Sequence, residues 1–555
     1  MPFFERYIQG HFDSYEEFAE KLSIHVPENY NFAFDVVDVI AQEDPGRTAM
    51  LWCNDKGETK TFSFADMAEM SGRAANFFAS LGIKKGDKVM LVLKRHYEFW
   101  FCILALHKLG AVAVPATHLL KAKDIVYRNN AADIRMIVCT TDNGLPDEVD
   151  EARKGSPHMR RRVIYRGQRE GWESLETGLR ESSAEFSRPV GEAAIHNEDP
   201  MLLYFTSGTT GMPKMVQHDF TYPLGHLVTA IHWQQVVQGG LHLTVSDTGW
   251  GKAVWGKLYG QWMAETAVFT YDFETFVPKD MLRMINEYQI TSFCAPPTIY
   301  RFLIQEDLTQ YDLSALRHCA IAGEALNPEI YQRFLEATGL GLTEGYGQTE
   351  TTLTVGTFAC VLPVPGSMGK PSPQYDVCIA DESGKDVRLG EMGEIAIRLN
   401  GKKPIGMFMG YYKDEERTRE ALYSGLYRTG DMAWQDENGY YWFVGRSDDV
   451  IKSSGYRIGP FEVESALMEH PAVMETAITA VPDEVRGQLV KATVVLAKGY
   501  TASDTLVKEL QDHVKHVTAP YKYPRIIEFV AELPKTISGK IRRGEIREKD
   551  SRKTE

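Results

Sequence analysis

The chain has 555 residues and a formal net charge of −15, from 61 basic and 76 acidic side chains. That length exceeds a single compact core and predicts two to four domains. At 43% hydrophobic and 25% charged it has the balance of an ordinary soluble globular protein, and its acidic excess argues against nucleic acid or an anionic membrane as the main partner. No run approaches the ~20 apolar residues that a membrane span needs. The opening MPFFERYIQGHFDSYEEF has early acids and no apolar block, so it reads as neither a secretory signal nor a transit peptide. Seven scattered cysteines (Cys53, Cys102, Cys139, Cys294, Cys319, Cys360 and Cys378) form no CxxC pair. This argues against a disulfide framework or a zinc site and predicts a reducing cytoplasm.

Along the chain, DKVMLVL (87–93) is a short apolar run suited to a buried strand. HYEFWFCILALHKLG (96–110) predicts a helix stopped by Gly110. AVAVPA and IRMIVCT again predict buried strands, and this rhythm gives an α/β fold with largely parallel sheets. Turn-rich segments at 381–394 and 436–449 predict hairpins in a β-rich region. Beyond them, VMETAITAV and LVKATVVLA predict strands, and SDTLVKELQDHVKHV predicts an amphipathic helix capped by Ser503. The expected organisation is a large domain over 1–447, with a β-rich subdomain at about 360–447, and a small α/β domain over 448–555.

YFTSGTTGMPKMVQH (204–218) has the composition of a phosphate loop, with glycines for close backbone approach and hydroxyl donors. It is not a Walker A loop. Pro213 stands where that pattern needs glycine, and Met215 follows Lys214 in place of Ser or Thr.

The ordered TSGTTGMPK resembles the signature loop of the adenylate-forming superfamily, and five further motifs follow in that family's order. They are GEALNP (323–328), EGYGQTE (344–350), YRTGD (427–431), GRSDDVIKSSGYRIGPFEVE (445–464) and PKTISGK (534–540). The resemblance spans essentially the whole chain. It implies that Thr206, Ser207, Gly208, Thr209, Thr210, Gly211 and Lys214 hold the outer phosphates of ATP. It implies that Gly323, Glu324 and Ala325 line the adenine, and that Glu344, Gly345, Tyr346, Gly347, Gln348 and Thr349 form the adenine and α-phosphate segment. Asp431 and Arg446 then reach the ribose, and Arg457 faces phosphate. Lys540, Thr349 and Glu350 are the implied catalytic residues, with Glu350 as the Mg²⁺ ligand. Asp448 is the implied hinge of a mobile C-terminal domain. Charge spreads over phosphoryl oxygens when a carboxylate attacks the α-phosphate, so a positioned cation such as Lys540 suits that chemistry.

TGWGKAVWGKLYG (248–260) and VTAPYKYPR narrow the resemblance to the medium-chain acyl-CoA synthetase subfamily. That implies an acyl pocket at Trp250, Trp255, Gly323 and Gly347. Acetate-specific members usually carry tryptophan at the position of Gly347, so glycine is expected to leave open room for a longer, branched, cyclic or aromatic acid. The implied CoA contacts are Ser454, Gly455, Tyr456, Arg486, Lys515 and Tyr523, with the two cations suited to phosphates. The expected reaction joins a carboxylic acid to CoA through an acyl-adenylate, using ATP and Mg²⁺ and releasing AMP and pyrophosphate, as in fatty acid metabolism. A carrier-protein thiol as acceptor and a non-catalytic nucleotide binder are the alternatives. Animal members carry a mitochondrial presequence that is not seen here, so a prokaryotic cytoplasmic enzyme is expected. Nothing in the sequence sets an oligomeric state.

Overall fold

The computed structural model describes residues 2–208, 211–535 and 541–554, without the side chains of 207, 208, 211, 212, 553 and 554. Thr209, Thr210 and Lys540 thus lie outside the described residues, and Ser207, Gly208 and Gly211 are described by backbone alone. Among the described residues the chain builds four sheets. In an eight-stranded sheet, Lys88–Val92, Val112–Pro115, Ile134–Thr140 and Arg161–Tyr165 run parallel. Pro200–Gly208 and Gly211–Asp219 extend it as an antiparallel pair. A nine-stranded sheet joins Thr48–Asn54, Ala267–Asp272, Leu241–Thr244, Ser292–Ala295, His318–Ala322 and Leu342–Gly347 in parallel. Strands buried on both faces read as continuous apolar runs, which is why Lys88–Val92, Val112–Pro115 and Ile134–Thr140 are legible in the sequence.

Glu98–Leu109 is buried at every position, as its all-round apolar composition requires. Gly110 ends it in the left-handed region at φ 69°, a conformation that costs glycine little. The helix carries a large share of the central core, with Trp100, Ile103 and Leu104 fully buried.

The turn-rich region forms an antiparallel sheet of Asp376–Ala380, Gly393–Arg398, Leu426–Gln435 and Tyr441–Arg446. The last sheet holds Ile451–Ser453, Tyr456–Ile458, Val473–Asp483, Gly487–Leu496 and Ile526–Val530. Helices Pro460–Met468 and Asp504–Val517 pack on it around Ile451, Val463, Leu467, Ile478 and Leu510. Ser503 caps the second helix by accepting from the Leu506 amide at 3.2 Å, a bond of about 1 kcal/mol. The chain passes from the third sheet to the fourth between Arg446 and Ile451, with Asp448 in the connecting turn. In open parallel sheets, ligands bind beyond the carboxyl ends of the strands. Here those ends release the loops at 93–97, 116–121, 245–250, 273–277 and 323–327.

Candidate functional site: two buried carboxylates and their partners

Asp431 is the centre of the site. It lies buried on Leu426–Gln435, where its neighbours converge from two other segments. The Tyr346 hydroxyl donates to its Oδ2 at 2.6 Å and Gln348 Nε2 donates at 2.5 Å. Arg446, one strand over, places Nη1 3.3 Å from Oδ1. An ionised carboxylate has about four acceptor sites, so capacity remains for hydroxyls of a ligand. Gln348 is itself fixed, since its Oε1 accepts from the Tyr427 hydroxyl at 2.6 Å.

A second group lies at the base of the Pro200–Gly208 and Gly211–Asp219 hairpin, where Thr206 pairs with Lys214. Glu350 is buried and accepts from the Tyr411 hydroxyl at 2.8 Å. Lys214 Nζ sits 3.4 Å from that hydroxyl and 4.9 Å from the Tyr411 ring centroid. Burial lowers the Lys214 pKa, Glu350 opposes that shift, and Arg417 and Arg446 add to it. Cations facing a buried carboxylate at a hairpin base are suited to a polyphosphate with its metal. The backbone of Thr349 is held by His218, whose Nε2 donates to the Thr349 carbonyl at 2.7 Å. Burial pushes the His218 pKa down to about 4, the Thr349 carbonyl opposing, so the ring stays neutral near pH 7. Tyr411 carries no motif signal, and His218, though it ends the segment 204–218, has no role assigned by it; only the fold brings them here.

Gly323 has φ 111° and is exposed, and apart from its chain neighbours no atom lies within 4 Å of the place where a Cβ would stand. Glu324 accepts from the Thr298 hydroxyl at 3.1 Å, and Ala325 follows in the same loop. Glu344 departs from its expected nucleotide contact. Its carboxyl is buried beneath this loop, 3.3 Å from the Leu326 amide that donates to it. Burial raises its pKa to about 8, with the amide opposing. The folded chain therefore keeps this proton up to about pH 8, whereas the unfolded chain loses it near the ordinary 4.5. Because the folded state binds more protons in that window, stability falls as pH rises through it, by up to about 5 kcal/mol. Glu344→Gln is expected to flatten this slope in melting curves taken from pH 4.5 to 8. A slope equal to the parent's refutes the assignment.

Gly347 also requires a correction. The glycine was expected to leave open pocket space. In the structure a Cβ there would stand 2.4 Å from the Thr352 carbonyl oxygen, so adjoining backbone fills the place. The cause is the register shift between Tyr346 and Gly347 where Leu342–Gly347 pairs with Leu353–Gly356. A side chain at 347 must displace this turn. Gly345 is equally crowded, with Trp233 2.5 Å from its missing Cβ. Trp255 packs on Trp233 with ring centroids 5.9 Å apart. Trp250 is half-buried and precedes the helix Gly251–Lys257. Lys252 ties that helix to the loop at 323 by donating to the Ala322 carbonyl at 2.9 Å, so Trp250 and Gly323 come to neighbouring segments.

The expected CoA residues all lie in the C-terminal part of the chain, at strand ends of the last sheet (Ser454, Gly455, Tyr456, Arg486), on its second helix (Lys515) and just after the turn Pro520–Lys522 (Tyr523). Ser454 and Gly455 make the turn between Ile451–Ser453 and Tyr456–Ile458. Arg486 Nη1 donates to Ser454 Oγ at 3.1 Å. Tyr456 stacks on Tyr521 at 4.1 Å, and both are exposed. Lys515 lies 4.4 Å over the Tyr523 ring and pairs with Asp512. Arg457 is not brought to the Asp431 group; it faces Glu382 at 3.6 Å, with half of its own side chain and nearly all of Glu382 in solvent. Asp448 lies 3.9 Å from Arg446 Nε. Its neighbour Asp449, which drew no notice in the sequence, accepts from Arg547 and lies within 4.0 Å of Arg543. The two parts of the chain also meet where Arg301 donates to the Met474 carbonyl at 3.3 Å and Asn327 to the Ser465 carbonyl at 3.4 Å.

A family model described as AMP-binding enzyme matches residues 37–412, and one described as AMP-binding enzyme C-terminal domain matches 462–540. The chain belongs to the AMP-binding enzyme family. Human acyl-coenzyme A synthetase ACSM3, mitochondrial, is 40% identical to this AMP-binding enzyme over 549 residues, covering 97% of this chain and 93% of the relative. Rat acyl-coenzyme A synthetase ACSM5, mitochondrial, is 42% identical over 535 residues, covering 95% and 91%. Among solved structures, the anthranilate CoA ligase AuaEII in complex with anthranoyl-AMP superposes with a TM-score of 0.85 at 29% identity, covering 95% of this chain and 99% of that one. In this AMP-binding enzyme the Asp431 group and the Glu350–Tyr411–Lys214 group lie within the two matched regions or between them.

Proposed function

We propose that the chain is an AMP-forming acyl-CoA synthetase. A carboxylate attacks the α-phosphate of ATP, giving acyl-adenylate and pyrophosphate; the CoA thiol then displaces AMP. The observation that carries this reading is the convergence of Tyr346, Gln348 and Arg446 on the buried Asp431. It supplies a ribose acceptor beside a flat aromatic face. The Glu350–Tyr411–Lys214 group provides for the phosphates. Glu350 would hold Mg²⁺. Among the described residues no cluster of three or more His, Cys, Asp or Glu is placed to cage a metal alone. One buried carboxylate fits an ion that takes most of its ligands from phosphates and water. When bound, the ion neutralises charge on the phosphates. The CoA patch around Ser454, Arg486 and Tyr456 supports CoA over a carrier protein as acceptor.

The acid class is medium-chain, branched, or cyclic and aromatic, a reading that rests on the subfamily resemblance and on the Lys252 link that brings the half-buried Trp250 beside the exposed loop at Gly323. Acid-dependent exchange of labelled pyrophosphate into ATP, run across hexanoate, isobutyrate, cyclohexane carboxylate, benzoate and acetate, tests both points. ADP as product overturns the reaction, and a preference for acetate overturns the pocket. Among the described residues no helix is long and apolar enough to cross a membrane. The relatives' names specify mitochondria, and for this chain we keep the cytoplasm as the placement to be tested by fractionation.

A further inference from the structure

Thiolysis of the acyl-adenylate needs a proton acceptor, and no sequence motif names one. Val112–Pro115 and Leu241–Thr244, from the two large sheets, end close together. They bring Thr117 and His118 against the turn 246–250. The approach is so close that a Cβ on Gly249 would stand 2.4 Å from the Thr117 amide nitrogen. Asp247 lies inside this junction. Its Oδ1 accepts from the Gly249 amide at 2.8 Å. Its Oδ2 faces His118 Nδ1 at 3.4 Å and Arg95 Nη1 at 3.5 Å. Burial alone would raise the Asp247 pKa; His118, Arg95 and the Gly249 amide outweigh it and hold the carboxyl below the ordinary range. Arg95 also reaches toward Asp272, 3.6 Å from its Nε, and Thr248 donates to the Lys94 carbonyl from the same turn.

The two atoms approach at ion-pair distance without a formed hydrogen bond, and a carboxylate so placed favours the tautomer with its proton on Nδ1, which leaves Nε2 with a lone pair. Among the described residues nothing hydrogen-bonds His118 Nε2, and the side chain keeps 12% of its surface exposed. The turn that Asp247 holds continues directly into Trp250 and, through Lys252, to the loop at Gly323. The ring therefore borders the segment that carries the acyl-pocket candidates.

We propose that His118, oriented by Asp247, accepts the proton of the acceptor thiol in the thioester-forming half-reaction. This rests on the acyl-CoA synthetase reading. The S–H proton passes to Nε2 as the sulfur bonds to the acyl carbon. The bond from that carbon to the AMP phosphate oxygen breaks, AMP leaves as the anion, and the imidazolium then releases its proton to water.

The test uses the full-length enzyme, the purified adenylate of its best acid, and two acceptors: CoA and an analogue with a more acidic thiol. His118→Gln is expected to lower single-turnover thiolysis by CoA roughly 10²-fold, the lower end for a lost general base. Pyrophosphate exchange stays within about twofold of the parent, which also reports that the variant folds. The deficit shrinks toward unity with the acidic thiol, which needs no base. His118→Asn, whose amide keeps a donor toward Asp247, is expected to behave alike. A thiolysis rate insensitive to His118, a deficit independent of thiol acidity, or equal losses in both half-reactions would make the pair a structural bolt and overturn the proposal. Failure of the parent to exchange pyrophosphate would overturn the underlying reading instead.

Discussion

Alanine in place of Lys540 is expected to lower acid-dependent pyrophosphate exchange by roughly 10²–10³-fold, the scale of losing one preorganised transition-state donor. Thiolysis of supplied acyl-adenylate should stay within about twofold of the parent. The reason for the difference is electrostatic. Adenylation brings a carboxylate to a phosphate, and a cation between them offsets charge that develops as the bond forms. Thiolysis begins after that charge has left with pyrophosphate. Lys540 itself lies outside the described residues, but the chain on either side of 536–540 is anchored in the C-terminal sheet and its helices. Lys535 pairs with both oxygens of Glu475 at 2.8 and 2.9 Å. Arg543 forms a bidentate pair with Glu464 at 2.7 and 2.8 Å. The described residues that flank it belong to the part of the chain that follows Asp448. Equal losses in both half-reactions would rule out a domain that rotates between them.

Asp431→Asn is expected to act on both half-reactions, lowering the kcat/KM of adenylation roughly 10²-fold. That corresponds to weakening about two hydrogen bonds to a charged acceptor. The substitution keeps shape but removes the charge that faces Arg446, and it replaces one acceptor oxygen with a donor aimed at Tyr346, Gln348 or Arg446. Thiolysis should fall as well, because the AMP half of the intermediate uses the same seat. A raised KM for ATP with an unchanged kcat would show uniform binding loss. Retention of full activity would remove Asp431 from the site.

Much of this was legible before any coordinates. The helix Glu98–Leu109 announced itself as an apolar run stopped by glycine, and the parallel strands Lys88–Val92, Val112–Pro115 and Ile134–Thr140 as short apolar runs. The motif residues 344–350 and 427–431 mark the nucleotide seat because contiguous sequence supplies most of it. What stayed hidden depends on long-range approach. Tyr411 meets Glu350 across 61 positions and His218 meets Thr349 across 131. Asp449 gains its meaning only from Arg547, 98 residues later. Gly347 shows the opposite failure. Its motif position was plain, but whether a missing side chain leaves space depends on a register shift in pairing, and sequence spacing does not encode that.

The pairing of Thr48–Asn54 with Ala267–Asp272 has a consequence during synthesis. The early strand leaves the ribosome roughly 220 residues before its parallel neighbour exists. At 5–20 residues per second it waits on the order of 10–40 s. Its own antiparallel partner Thr59–Ser63 arrives at once, so for that interval the segment is a two-stranded ribbon with one open, apolar edge. Slower translation should therefore lengthen the exposure of this edge, and a holdase that covers it should raise the yield of folded enzyme.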